Sequence, residues 1–178
     1  MNFKFKKVLK IISNALVILV VVFAFLLHGT RLIGLTPYSV LSGSMQSVYP
    51  TGSLIYVKEI DTAVLEVGDI ITYRMTGGSL CTHRIVELVP DDEDPDAVLY
   101  RTKGDENETA DGTPVAEDAV IGKAVFGIPL LGYIATYIAV SPGKYIAFAA
   151  AIALVLAEII IGIVLDDKDE KKSKPAQD

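Results

Sequence analysis

Two long apolar runs, one near each end, restrict this chain's folding choices more than any other feature. From Ile11 to Leu27 every residue is apolar except Ser13 and Asn14. Continued through Leu32 and Ile33, residues 11–33 are long enough to cross a ~30 Å hydrocarbon core as a helix. A second run, 145–165, is rich in Ala, Ile, Leu and Val with one charge, Glu158. These runs explain how 51% hydrophobic residues coexist with 21% charged ones. They leave roughly 110 residues between them, enough for one modest core.

Lys4, Lys6, Lys7 and Lys10 precede the first run, and Lys168, Lys171, Lys172 and Lys174 follow the second. Cytoplasmic flanks are enriched in lysine. The expected layout is therefore a cytoplasmic start (1–10), a membrane helix (11–33), an extracytoplasmic domain (34–140), a returning helix (145–165) and a cytoplasmic tail (166–178). The expectation is a multi-pass protein of the cell membrane, with the lipid bilayer as a partner. A cleavable leader would share the basic start, but the run ends in Leu26-Leu27-His28-Gly29-Thr30-Arg31 with no small-x-small site, so a retained anchor is expected. Glu158 has two readings: an intramembrane functional group, or a carboxyl snorkelling to the interface. The apolar stretch 125–138, broken by Gly and Pro, is expected to lie in the bilayer interface.

The net charge of −6 argues against a nucleic-acid partner, which would need clustered Lys and Arg. Much of the acidity sits in Asp91-Asp92-Glu93-Asp94-Pro95-Asp96, which reads as a solvated loop rather than a cation site. Cys81 is the only cysteine, so neither an internal disulfide nor a multi-cysteine metal cluster can form.

The middle region reads as β. Residues 53–57, 69–73, 80–88 and 98–102 are short runs rich in Ile, Val, Tyr and Thr, separated by Gly, Pro, Asp or Asn. A mainly β domain of antiparallel sheet between two helical anchors is expected. Strand alternation puts Cys81, His83 and Ile85 on one face and Thr82, Arg84 and Val86 on the other.

Five short boxes follow the first run in order: Ser42-Gly43-Ser44-Met45, Val67-Gly68-Asp69-Ile70-Ile71-Thr72-Tyr73-Arg74, His83-Arg84-Ile85-Val86, Lys103-Gly104-Asp105-Glu106-Asn107 and Ile121-Gly122-Lys123-Ala124. Each alone is weak, since Ser-Gly-Ser and Gly-Asp are common in turns. Together, over residues 40–133, they resemble type I signal peptidases. The likeness is to the endoplasmic-reticulum-type branch that includes SipW-like enzymes, in which a histidine replaces the catalytic lysine.

That resemblance implies a signal peptidase/LexA-like fold and a serine endopeptidase acting on signal-peptide-bearing preproteins, with contacts to the secretion machinery. It implies Ser44 as nucleophile, His83 as general base, Asp111 as the acidic partner and Asp105 as a second required acid, while sequence spacing leaves open which of the two acids contacts His83. It also implies an oxyanion held by the Ser44 N–H and by Ser42. No metal or cofactor is called for. A neutral histidine can take the serine proton near pH 7, whereas an unperturbed lysine would stay protonated. Between Ile33 and Ser44 the extended chain reaches on the order of 40 Å, which keeps the nucleophile near the membrane.

One departure stands out. Gln46-Ser47-Val48-Tyr49-Pro50 follows Met45, with the proline three places later than in most members of the family. Two rivals belong to other classes. A sortase-like Cys transpeptidase would use Cys81, but needs a histidine well upstream of the cysteine, where only His28 stands. The other is a non-catalytic membrane-tethered binding or assembly protein.

Overall fold

The structure is a computed structural model that describes residues 3–91, 94 and 97–173. Four residues of the acidic run, at positions 92, 93, 95 and 96, lie outside the described residues, and so does the solvated-loop expectation for them. The chain divides into two compact units, a helical one taking in the chain up to Leu26 and from Tyr137 on, and a β unit over Leu27–Thr136.

In the helical unit, α1 spans Phe3–Leu27, and the 31-residue α3 spans Gly143–Ser173. Both hold an 18-residue window apolar enough to cross a membrane, Lys10–Leu27 and Gly143–Ile160. Neither buries that surface within the protein, and Ile11, Leu19, Val21, Phe148 and Ile160 all stand exposed. A helix apolar all round needs an apolar surrounding, and lipid supplies one. Inside this unit Ser13, which is buried, donates its hydroxyl proton to Glu158 Oε1. The one charged residue of the second run thus meets a polar partner on the other helix. Helix α3 continues past residue 165 because Asp-Asp-Lys-Asp-Glu-Lys-Lys offers charged residues with no Gly or Pro to stop it.

The β unit is one antiparallel six-stranded sheet: β1 (Leu35–Ser39), β2 (Leu54–Lys58), β3 (Ile70–Arg74), β4 (Leu80–Pro90), β5 (Val98–Lys103) and β6 (Val120–Ile128). The spatial order is β1-β2-β6-β3-β4-β5. Strands β2 to β5 match the four expected from sequence. β1 escapes a sequence reading because it carries Pro37, which an edge strand tolerates. β6 escapes because Gly122 and Gly127 interrupt its apolar pattern. Gly122 is required there: a Cβ would stand 2.3 Å from the Lys58 carbonyl oxygen. Part of the stretch expected at the interface is therefore a central strand, and part is a short helix, α2 (Leu131–Ala139).

Strand β3 contributes to two core clusters, so four successive residues are buried rather than alternating buried and exposed. Ile70 joins Met45, Tyr49, Ile55, Val57 and Ala124 in one core cluster. Ile71 and Tyr73 join Leu65, Ile85, Tyr100 and Val115 in another. Ile85 is fully buried in that second cluster, and strand alternation places His83 at its rim on the same face.

Strand β5 ends opposite Arg84, so the β4 residues Leu80–His83 lie beyond it. Ile85 N donates to Asp69 O, and Met75 N donates to Ser79 O, so the odd-numbered residues of β4 bond toward β3. By antiparallel alternation, Leu80 and Thr82 turn their N–H and C=O groups to the open side.

Candidate active site

Ser44 sits in a tight turn after β1. Gln46 N donates to Gly43 O at 3.1 Å, and Tyr49 N donates to Met45 O at 2.7 Å. Met45 and Tyr49 are buried in the first core cluster and anchor the turn from below. The unusual Gln46-to-Pro50 sequence closes through side chains instead of an early proline. Gln46 Oε1 accepts from Thr51 N at 3.0 Å and from Thr51 Oγ1 at 3.1 Å, while Thr51 Oγ1 also lies 3.0 Å from Ser42 O.

From β4, the His83 imidazole reaches this turn. Its Nε2 lies 3.0 Å from Ser44 Oγ, and its Nδ1 lies 2.6 Å from Asp111 Oδ2. With Nδ1–H donating to the carboxylate, the Nε2 lone pair faces the serine hydroxyl. Ser42 Oγ stands 3.3 Å from Ser44 Oγ. The Ser44 N–H has no acceptor among the described residues, leaving it available to a developing negative charge. Of the five residues singled out from sequence, four come together.

Asp105 stands apart from them. Its carboxylate accepts from Arg84 Nε at 2.8 Å and Arg84 Nη2 at 2.6 Å, a two-point grip, and makes no bond to His83. Arg84 also donates to Gly68 O at 2.8 Å. The segment that Asp105 anchors straps the serine turn: Glu106 N donates to Ser44 O at 3.0 Å, and Ser47 N donates to Glu106 Oε1 at 3.1 Å. Lys123 and Asp69 add an ion pair of 2.5 Å. The five boxes, scattered over some eighty residues of sequence, are thus joined by direct contacts around one turn.

Two residues that sequence reading did not single out complete the site. Thr102 Oγ1 donates to Asp111 Oδ2 at 2.6 Å, and Tyr73 OH donates to the same oxygen at 3.1 Å. A signal was present, since Tyr73 lies within one box and Thr102 immediately precedes another, but nothing in the order of residues aims them at Asp111.

The electrostatics follow from these contacts. Burial works against a charge on His83, yet hydrogen bonding with Cys81 and Asp111, together with the carboxylate's charge, outweighs it and pushes the pKa up to about 9. Burial likewise works against the Asp111 charge, but hydrogen bonds from His83 and Thr102 hold its pKa below the usual carboxylate value. The Arg84 hydrogen bonds keep Asp105 low. Burial raises Tyr73, so its hydroxyl remains a donor.

A cavity of about 450 Å³ opens beside Ser44, between Tyr38–Ser42 and Ser79–Thr82. A second, of about 570 Å³, borders His83 and Asp111 on the side of Tyr73. Among the described residues no group of His, Cys, Asp and Glu side chains could hold a metal ion.

No family model matches the chain. Signal peptidase I W of Bacillus subtilis is 40% identical over 124 residues, 63% of this chain and 64% of that protein. The signal peptidase complex catalytic subunit sec11 of Penicillium rubens is 30% identical over 112 residues, 58% of this chain and 62% of its own length. The SEC11 subunit of Pyricularia oryzae is 31% identical over 131 residues, 66% of this chain and 72% of its own length. The chain therefore spans slightly less than two thirds of the first two relatives. With the two apolar helices, these likenesses mark a membrane protein. On the identity and coverage shared with these subunits, this chain belongs to the type I signal peptidase family.

Proposed function

We propose that this chain is a membrane-bound serine endopeptidase that removes signal peptides from exported preproteins. The observation that carries the reading is the unbroken chain Ser44 Oγ, His83 Nε2, His83 Nδ1, Asp111 Oδ2, with gaps of 3.0 Å and 2.6 Å. His83 Nε2 takes the Ser44 proton as Oγ bonds to the scissile carbonyl carbon. The oxyanion collects on the Ser44 N–H and the Ser42 hydroxyl. The imidazolium then hands its proton to the departing amine as the C–N bond breaks, and water, deprotonated by the same imidazole, releases the acyl group. Asp111 holds the ring in the required tautomer. Asp105 serves indirectly, by anchoring the strap over the serine turn.

The open side of β4 suits an extended substrate. Leu80 and Thr82 present backbone donors and acceptors there, and the 450 Å³ cavity lies alongside, so the signal-peptide segment adds as a strand with its side chains in that cavity. In this reading both apolar helices span the cell membrane. The four N-terminal lysines keep the start of the chain cytoplasmic, and the β unit works on the extracytoplasmic face, where secretion machinery delivers preproteins. Exposed Leu32, Ile33, Leu130 and Tyr133 give the β unit apolar groups to rest in the lipid interface.

The test is processing of a preprotein by the full chain in detergent. Wild type is expected to cleave, and Ser44→Ala and His83→Ala are expected to abolish cleavage. Absence of cleavage by wild type across lipids and preproteins would favour a binding protein instead. Activity that survives Ser44→Ala but not Cys81→Ser would favour the cysteine transpeptidase.

A further inference from the structure

The role of Asp111 demands more than proximity to His83. It lies in the loop after β5, and loop residues are held less precisely than strand residues. Its Oδ2 accepts three hydrogen bonds: from His83 Nδ1 at 2.6 Å, Thr102 Oγ1 at 2.6 Å and Tyr73 OH at 3.1 Å. The two hydroxyl oxygens lie 3.1 Å from each other, so the three donors form one closed group around a single oxygen. Thr102 fastens the acid a second time, since its carbonyl accepts from Asp111 N at 2.8 Å. Thr102 is fully buried and Tyr73 is 6% exposed, so both side chains are largely withdrawn from solvent. Tyr73 belongs to β3 and Thr102 to β5, the two neighbours of β4, which carries the imidazole. The strands on either side of the base thus each extend a donor to the loop acid.

We propose that Tyr73 and Thr102 are positioning residues, whose hydroxyls hold the Asp111 carboxylate against His83 and moderate its pull on the imidazolium. The proposal rests on the peptidase reading above. With one donor removed the carboxylate still faces Nδ1–H through the remaining one, but its aim is looser. The donors also draw charge from Oδ2, and a carboxylate so engaged attracts the imidazolium proton less strongly. Removing one donor therefore raises the pH at which His83 becomes neutral.

The experiment measures kcat and KM from pH 6 to 10 on a fluorogenic signal-peptide substrate, using the full chain in detergent. Thr102→Val and Tyr73→Phe remove each hydroxyl while keeping shape. Each is expected to lower kcat about tenfold, a share of the ~10² to 10⁴ that a positioned base contributes, with KM unchanged. The acid limb of the pH profile should move upward in both. Thr102→Ser should restore both kcat and limb. The double variant should lose less than the product of the single losses, because both hydroxyls act on one oxygen. Wild-type kcat and pH profile in both single variants would overturn the proposal. So would a loss of rate with an unmoved limb and a matching fall in Tm, the mark of a purely structural role. Failure of the peptidase reading looks different: wild type would not cleave, or Ser44→Ala would.

Discussion

Gly104 packs its bare α-carbon against Ser44: a Cβ added there would stand 2.8 Å from both the Ser44 Cβ and the Ser44 carbonyl oxygen. The strap can close over the serine turn only because that side chain is missing. Gly104→Ala should push Ser44 Oγ off the line to His83. Since a displacement of about 1 Å can cost ~10²-fold, kcat is expected to fall by that order while the fold persists. Steady-state kinetics beside a far-UV melt would check this, and an unchanged kcat would show that the turn has room to yield.

Arg84 and Asp105 form a half-buried, two-point ion pair, with side chains 32% and 18% exposed. Such a pair is worth more than a surface salt bridge but remains screened in part. A double-mutant cycle with Arg84→Gln and Asp105→Asn should give a coupling of about 1–2 kcal/mol in denaturant unfolding. Both variants should cleave more slowly, and Asp105→Asn should move the acid limb slightly downward, because its charge acts on the His83 charge through space without a hydrogen bond. A limb moved as far as in an Asp111→Asn variant would instead place Asp105 in direct contact with the base.

The pH dependence follows from the shifted groups. With His83 raised to about 9, neutral imidazole is scarce near pH 7 and increases about tenfold per pH unit until the pKa is reached. Cleavage should therefore climb toward alkaline pH and level off near 9. Stability runs the other way. The folded His83 pKa exceeds its ordinary 6.5, so its contribution is complete below 6.5 and disappears as pH rises through about 9. Asp111 is lowered from 3.8, so its contribution is complete above 3.8 and is lost on acidification below that value. Paired pH scans of kcat and Tm should show opposite trends between 6.5 and 9. A rate optimum at pH 6 would contradict the assignment.

Ser42 Oγ, 3.3 Å from Ser44 Oγ, is placed to donate to the oxyanion. Removing one such donor typically costs ~10² to 10³ in kcat. Ser42→Ala is expected at the lower end, because the Ser44 N–H remains. Single-turnover kinetics would isolate the acylation step, and wild-type acylation would remove Ser42 from the site.

Much of this protein is legible in one dimension. The apolar runs announce α1 and α3, since helix length against hydrocarbon thickness is a local property of sequence. β-branched and aromatic runs announce β2 to β5, and strand alternation alone places His83 and Ile85 on one face. Ser44, His83 and Asp111 could be named from order and resemblance.

Tertiary structure decided what depends on contacts between distant segments. β1 and β6 are hidden by Pro37, which an edge strand tolerates, by Gly122, where the backbone passes close to the Lys58 carbonyl, and by Gly127, which packs against Tyr49 and Ile55, and their meaning appears only beside those partners. Asp105 and Asp111, six positions apart, are alike as loop acids in sequence. The fold sends one to Arg84 and the other to His83, because the register of β4 against β5 pairs Arg84 with Lys103, next to the strap, and pairs Ile85 with Thr102, whose hydroxyl holds Asp111. Local preference writes the elements, but which acid meets the base is settled by strand register and buried hydrogen bonds, and neither can be read from neighbours in the chain.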